Sequence, residues 1–197
     1  MSTPLRRLER DFYRADSREV APRLLNKVLV HGNRRARIVE VEAYAGGEDP
    51  ASHAYRGRTA RNATMFGPPG HLYVYFSYGV HWCANVVCGP EGTASAVLLR
   101  AAEPVAGLDE VWAARPKARR ERDLLSGPGR LCQGLGIDGR HDGADLVDPL
   151  VGGPWVADDG TPPPCPPGRT PRIGISVARD ELWRLTVPGS PHLSRPR

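Results

Sequence analysis

Glu42, Tyr44, His53, Arg56, Arg58, Arg61, Tyr73, Tyr75 and Tyr78 all fall within one stretch of the chain, RIVEVEAYAGGEDPASHAYRGRTARNATMFGPPGHLYVYFSY. Acid, imidazole, guanidinium and phenol together permit several chemistries. Glu42 could bind a metal, but His53 is the only nearby imidazole, and no HxH, HExxH or paired cysteine accompanies it. It could pair with Glu40 as a two-carboxylate hydrolase does, but the two residues point the same way from one strand, whereas such a pair must flank its substrate. It could act alone as a general base for water, which suffices when the leaving group is already activated. A salt-bridged loop between two strands is the plain alternative. Nucleophilic chemistry is disfavoured: there is no GxSxG elbow, and the only lysines, Lys27 and Lys117, lie outside the stretch.

The rings suggest a slot for a planar group. Stacking one base on aromatic side chains is worth roughly 1–3 kcal/mol, and a cationic base gains about 1 kcal/mol or more from cation–π attraction. Drawing a base out of a duplex costs a few kcal/mol, least where it is damaged. The terms are comparable, so a flipped base needs help from a wedge that fills the gap in the stack. Tyr78, followed by Gly79 at a hairpin tip, fits that role.

These residues need particular elements to hold them. The two-residue period of Ile38–Tyr44 predicts a strand with Ile38, Glu40, Glu42 and Tyr44 on one face, and Val39, Val41 and Ala43 on the other. A strand at 27–30 and the turn His31-Gly32-Asn33 make a hairpin with it. Residues 46–70 form a long loop, of the kind that is usually functional. A meander follows: a strand at 72–77, a reversal at Tyr78-Gly79, a return over 80–87, a turn at 89–92 and a third strand over 94–101. Tyr73 and Tyr75 share a face, Asn85 shares one with Cys83, and Leu98 shares one with Arg100.

Leu5, Leu8 and Phe12 have helical spacing, and Asp16-Ser17-Arg18-Glu19 reads as a capping box before a helix that buries Val20, Leu24 and Leu25. Residues 107–126 are helical in character. Lys117, Arg119, Arg120 and Arg122 make either a solvated face or a phosphate-contacting one. Gly127-Pro128-Gly129-Arg130 opens a helix whose N-terminus, with Arg130, could take a phosphate. Residues 161–168 are a proline-rich loop, and 172–175 and 182–187 read as two closing strands.

The 197 residues suit one domain spanning 1–197, with 40% hydrophobic and 25% charged residues and a net charge of +5. That excess fits a polyanionic partner. No signal-peptide core or membrane-length apolar run is present, and Cys83, Cys88, Cys132 and Cys165 read as reduced thiols. The expectation is a cytoplasmic protein.

Several words of the sequence, in order, resemble the alkyladenine (3-methyladenine) DNA glycosylase family of the mammalian type. They are Glu42-Ala43-Tyr44, Glu48-Asp49-Pro50-Ala51-Ser52-His53, Thr59-Ala60-Arg61-Asn62, Met65-Phe66-Gly67-Pro68-Pro69-Gly70, Tyr73-Val74-Tyr75, Tyr78-Gly79, Leu98-Leu99-Arg100-Ala101 and Gly127-Pro128-Gly129-Arg130-Leu131-Cys132-Gln133. The resemblance implies an α+β fold, one domain on a curved antiparallel sheet with flanking helices. It implies a monomer acting on double-stranded DNA that contains a damaged base, with no metal or cofactor. It makes Glu42 the base that activates water, with Arg100 placing the water or the adjacent phosphate. Tyr44, His53 and Tyr75 line the base pocket, Leu98 shapes it, and Asn85 screens out purines with a 2-amino group. Tyr78 intercalates, and Arg56, Arg58, Arg61 and Arg130 are candidates for the DNA backbone. Ala60, His81 and Ala84 depart from the commonest pattern, so the range of lesions is left open. A non-catalytic binder of damaged nucleic acid and a hydrolase of free nucleosides are the rival functions.

Overall fold

The computed structural model describes residues 4–194. An α+β fold is built on one antiparallel nine-stranded sheet: β1 (Arg6–Arg7), β2 (Val28–His31), β3 (Arg34–Ala45), β4 (Leu72–Ser77), β5 (His81–Cys88), β6 (Ser95–Ala106), β7 (Trp155–Asp158), β8 (Gly168–Thr170) and β9 (Arg184–Thr186). The main path runs β1-β7-β2-β3-β6-β5-β4, and β9 joins β3 to β8. Three helices, α1 (Ser17–Leu24), α2 (Leu108–Ala114) and α3 (Pro128–Leu135), accompany it. The main core takes Val20 and Leu24 from α1, Val111 from α2 and Leu131 and Leu135 from α3, against Val41, Ala43, Val86 and Leu99 of the sheet. A second, smaller cluster holds Ala54, Met65, Tyr73, Val87 and Ala96. No helix among the described residues is long and apolar enough to cross a membrane.

β3 is the central strand, and its register carries the site. Along one edge it pairs first with β2, over residues 34–37, and then with β9, over residues 40–42. Along the other it pairs with β6, with register shifts between Ile38 and Glu40 and between Glu40 and Val41. Bulges of this kind bend a strand and re-aim its side chains. They correct the expected alternation. Ile38 joins Val41 and Ala43 in the main core, while Glu40 and Glu42 turn to the other side. The second shift leaves Arg100 unpaired in β6, because Glu40 faces Ala101 and Val41 faces Leu99.

The β4–β5 hairpin forms as expected. Ser77 pairs with His81, and Tyr78 and Gly79 both have positive φ, 51° and 66°. Tight hairpin reversals need that combination, and glycine supplies it freely, whereas a bulky ring does not. Tyr78 is 85% exposed, flanked by exposed Phe76 and Val80.

Other expectations change. Residues 5–12 form no amphipathic helix: Arg6–Arg7 pair with β7, Leu8 N–H donates to the Val156 carbonyl, and a 3-10 turn covers Arg10–Tyr13. Edge pairing claims this segment before helix propensity can. Asp16 caps α1 through the Arg18 N–H, without the reciprocal glutamate of a capping box. The strand at Trp155–Asp158 was not foreseen. Residues 172–175 make no strand; besides β3, the partner of β9 is Gly168–Thr170. The helix expected over 107–126 is limited to α2 and a 3-10 turn at Glu121–Asp123.

Candidate active site

One register row crosses the sheet through the site. Tyr73 of β4 faces Asn85 of β5, Asn85 faces Leu98 of β6, Leu98 faces Glu42 of β3, and Glu42 faces Arg184 of β9. Three expected pocket or catalytic positions, Glu42, Asn85 and Leu98, are therefore spaced by sheet geometry alone, about 5 Å per strand. Tyr73, Asn85 and Leu98 of this row line a cleft of about 580 Å³, which suits a small planar ligand. Tyr44, His53, Tyr75, Tyr78, Asn85, Leu98, Arg100 and Arg61 all line it.

Glu42 is 0% exposed and lies beneath that lining. Its Oε2 accepts from the Tyr44 hydroxyl at 2.9 Å and from Arg100 Nη1 at 3.4 Å, and its Oε1 accepts from the Ile173 N–H at 2.7 Å. Burial pushes its carboxyl above the ordinary range, against the pull of Arg100, Ile173 and Tyr44. Burial, reinforced by the Glu42 charge, raises the Tyr44 phenol well above its usual value, so it stays a donor. Burial works against the charge of Arg100, but Glu42 and Glu40 outweigh it.

The rings form two groups. His53 meets Tyr75 edge-on at 4.5 Å between centroids, and Tyr73 stacks on Tyr75 at 5.3 Å. The Tyr73 hydroxyl lies 3.2 Å from His53 Nδ1. Tyr44 stands apart, with the Arg172 guanidinium 4.6 Å over its ring. Desolvation, then the nearby Arg61 cation, lowers the pKa of His53, and burial carries Tyr73 up to about 12.

Several positioning residues were not legible in advance. Arg172 and Asp49, both fully buried, form an ion pair with contacts of 2.5 and 2.9 Å. Arg172 Nη1 also donates to the Ala43 carbonyl. This clamp fixes the irregular segment whose Ile173 N–H reaches Glu42. Asn62 donates to the carbonyls of His53 and Gly57 and accepts from the Thr59 N–H, which fastens the loop that carries His53. Asp49 and Asn62 stood in the motif words without a role, and Ile173 gave no signal.

The basic candidates divide. Arg61 lies 5.9 Å over the Tyr75 ring and donates to the Phe76 carbonyl. Arg56 and Arg58 are exposed on the adjoining loop. Arg130 is exposed on α3 and donates to Ser126. The start of α3 abuts the cleft: Pro128 lines it, and a Cβ on Gly129 would fall 2.5 Å from the His81 ring. Lys117 is exposed, and Lys27 is buried and paired with Asp158 at 2.9 Å. Among the described residues no group of three or more His, Cys, Asp or Glu could hold a metal ion.

The chain is similar to known proteins over almost its whole length. A protein of Burkholderia lata that carries the provisional name 3-methyladenine DNA glycosylase is 56% identical over 190 residues, 96% of this chain and 91% of its own. Proteins of the same provisional name from Frankia casuarinae and Chlorobaculum tepidum are 50% and 47% identical, over 95% and 97% of this chain and 92% of their own lengths. The family model for methylpurine-DNA glycosylase matches residues 11–191, which include the whole register row and the segment around Ile173. The chain therefore belongs to the methylpurine-DNA glycosylase family, whose members are hydrolases of N-glycosyl bonds.

Proposed function

We propose that residues 1–197 act as one monofunctional DNA glycosylase domain, a cytoplasmic monomer. It flips an alkylated purine out of duplex DNA and removes it by hydrolysis, leaving an abasic site. The observation that carries this reading is the Glu42 carboxyl. It is fully buried, it is more basic than an ordinary carboxylate, and it is held by three groups of the cleft lining, Arg100, Tyr44 and the Ile173 N–H.

In this mechanism the flipped base lies between Tyr44 on one side and His53 with Tyr75 on the other. Tyr78 fills the space it leaves in the duplex. A ring held at positive φ carries local backbone strain of about 1–3 kcal/mol, and such strain gathers at functional positions. Glu42 takes a proton from water, the water oxygen bonds to C1′ of the deoxyribose, and the bond from C1′ to the purine nitrogen breaks. Its electron pair leaves with the base. A purine methylated at N3 or N7 is cationic and departs neutral without a proton donor. His53, with its lowered pKa, and the buried phenols of Tyr73 and Tyr75, with their raised ones, are poor proton donors at pH 7. This favours cationic lesions such as 3-methyladenine and 7-methylguanine over neutral ones such as hypoxanthine. Asn85 gives its amide nitrogen to the Tyr73 carbonyl at 3.2 Å and lines the cleft, where it sets how readily a purine with a 2-amino group is accepted, so 3-methyladenine should leave faster than 7-methylguanine.

The direct test incubates the protein with duplexes that each carry one lesion and assays for abasic sites. Release of methylated purines, with hypoxanthine slower, is the expected result. Tight binding without any release would favour the non-catalytic binder, and release from free nucleosides alone would favour the nucleoside hydrolase.

A further inference from the structure

Behind the proposed base lies a second, fully buried carboxyl group for which that mechanism has no role. Glu40 Oε1 accepts from Arg100 Nε at 3.1 Å, from Arg184 Nε at 2.7 Å and from the Ser194 hydroxyl at 2.6 Å, and its Oε2 accepts from the Ser194 N–H at 2.6 Å. It acts only as an acceptor, as an ionised carboxylate does. Arg100 is divided among three groups: Nε to Glu40, Nη1 to Glu42 and Nη2 to the Ser194 hydroxyl at 3.3 Å. Every guanidinium nitrogen is thus committed. The two bonds to Glu40 and Ser194 aim the third nitrogen at Glu42.

We infer that Glu40 is a positioning residue for the reaction: by holding Arg100 from behind, with Arg184 as its counterweight, it sets how tightly that guanidinium grips Glu42. The inference rests on the reading of Glu42 as the base. Its logic is a shared cation. Two carboxylates compete for Arg100, and Arg184 satisfies part of the demand of Glu40. The longer contact, 3.4 Å, falls to Glu42 and the shorter, 3.1 Å, to Glu40. A base gripped too firmly by a guanidinium loses proton affinity, and one left without it in a buried site is not held in place. The bulge that frees Arg100 from the β3–β6 register makes the arrangement possible.

Removing the Glu40 charge gives Arg100 wholly to Glu42, and the proton affinity of Glu42 falls. Removing Arg184 lets Glu40 draw Arg100 away, and the proton affinity of Glu42 rises. Loss of a structural prop alone would not give the two variants opposite signs, and the direct repulsion of Glu42 by the Glu40 charge adds to the first shift. The other groups facing Glu42 are unchanged in both variants: Tyr44 on β3, Tyr75 on β4, Cys83 on β5, and Arg172 with the Ile173 N–H in the segment before β9.

The experiment titrates the full-length protein, labelled with 13C at the glutamate side-chain carboxyls, by NMR without DNA. Loss of a signal in Glu42→Gln assigns Glu42. The Glu42 midpoint should move to lower pH in Glu40→Gln and to higher pH in Arg184→Gln. The acidic limb of single-turnover base release should move in the same two directions. Shifts of the same sign in both variants, or none, would overturn the inference. If Glu40→Gln does not fold, Arg184→Gln decides alone: an upward shift supports the inference, and a downward or absent one overturns it. The two readings are separable, because the NMR titration requires no catalysis. Opposite shifts in the two variants, together with a wild-type protein that releases no base, would support the sharing of Arg100 and overturn the glycosylase reading of Glu42.

Discussion

The backbone N–H of Ile173 donates to Glu42 Oε1 at 2.7 Å, and the bond joins residues from opposite ends of the chain. A donor aimed at a buried carboxylate stabilises its charged form. Ile173→Pro removes that donor, so the Glu42 carboxyl should become still harder to ionise. The acidic limb of the pH–rate profile should then move to higher pH. Ile173→Ala keeps the N–H and should leave the limb in place. A pH profile of both variants checks this, and equal shifts in the two would mean that side-chain packing, not the N–H, matters.

Glu42 should cost the fold stability. Its folded pKa lies above the unfolded value, so the protonated form is favoured by folding below the unfolded pKa. That stabilisation is lost as pH rises through the folded pKa. At pH 7 the charge is held at a cost, and Glu42→Gln should raise Tm there. The gain should shrink toward zero as the pH falls below the ordinary carboxylate range. Thermal melts at several pH values test this, and a Tm that falls at pH 7 would show that the ion pair with Arg100 outweighs the burial.

Much of this arrangement was legible in the sequence. The two-residue period and turn residues marked β2, β3 and the β4–β5–β6 meander, so Glu42, Tyr44, Tyr75, Asn85 and Leu98 could be placed by strand parity. The tip position of Tyr78 followed from Gly79. The bulges were not legible, because a register shift depends on both strands, and so the side taken by Ile38 was misjudged. Arg172–Asp49 and Ser194–Glu40 were hidden for a similar reason. Buried pairs between distant segments leave no local periodicity. The segment 172–175 looked like a strand from its apolar residues, yet Ile173 gives its N–H to a side chain and Gly174 turns away at a φ of 78°.

Tyr78 tests the flipping step. Tyr78→Asn suits positive φ better than tyrosine and should preserve or slightly raise stability. Loss of the ring should lower the flipping equilibrium of a paired lesion by roughly 1–3 kcal/mol, the worth of one stacking partner. The defect should shrink when the lesion sits in a mismatch, where unstacking is cheap. A fluorescent base analogue and base-release rates in both duplexes measure it, and wild-type behaviour in both would remove Tyr78 from the mechanism.

The lysines predict the product. Lys27 is tied to Asp158, Lys117 is exposed, and neither lines the cleft, so no lysine amine is placed to attack C1′. The product strand should stay intact until treated with alkali. A covalent adduct trapped by borohydride would contradict a water mechanism.

Salt dependence tests the partner. Arg56 and Arg58 are exposed on the loop between the cleft residues His53 and Arg61, and Arg130 is exposed two residues after Pro128, which lines the cleft. If each meets one phosphate, its replacement by alanine should reduce the slope of log affinity against log salt by about 1. A flat plot for the wild-type protein would argue against a DNA backbone partner.

The central claim is that Glu42 activates water. Its most direct test is single-turnover release of one methylated purine from duplex DNA by Glu42→Gln at pH 7. The mechanism predicts a loss of roughly 100-fold or more, the scale of a positioned general base, with affinity for the same duplex unchanged. Release at the wild-type rate would contradict it.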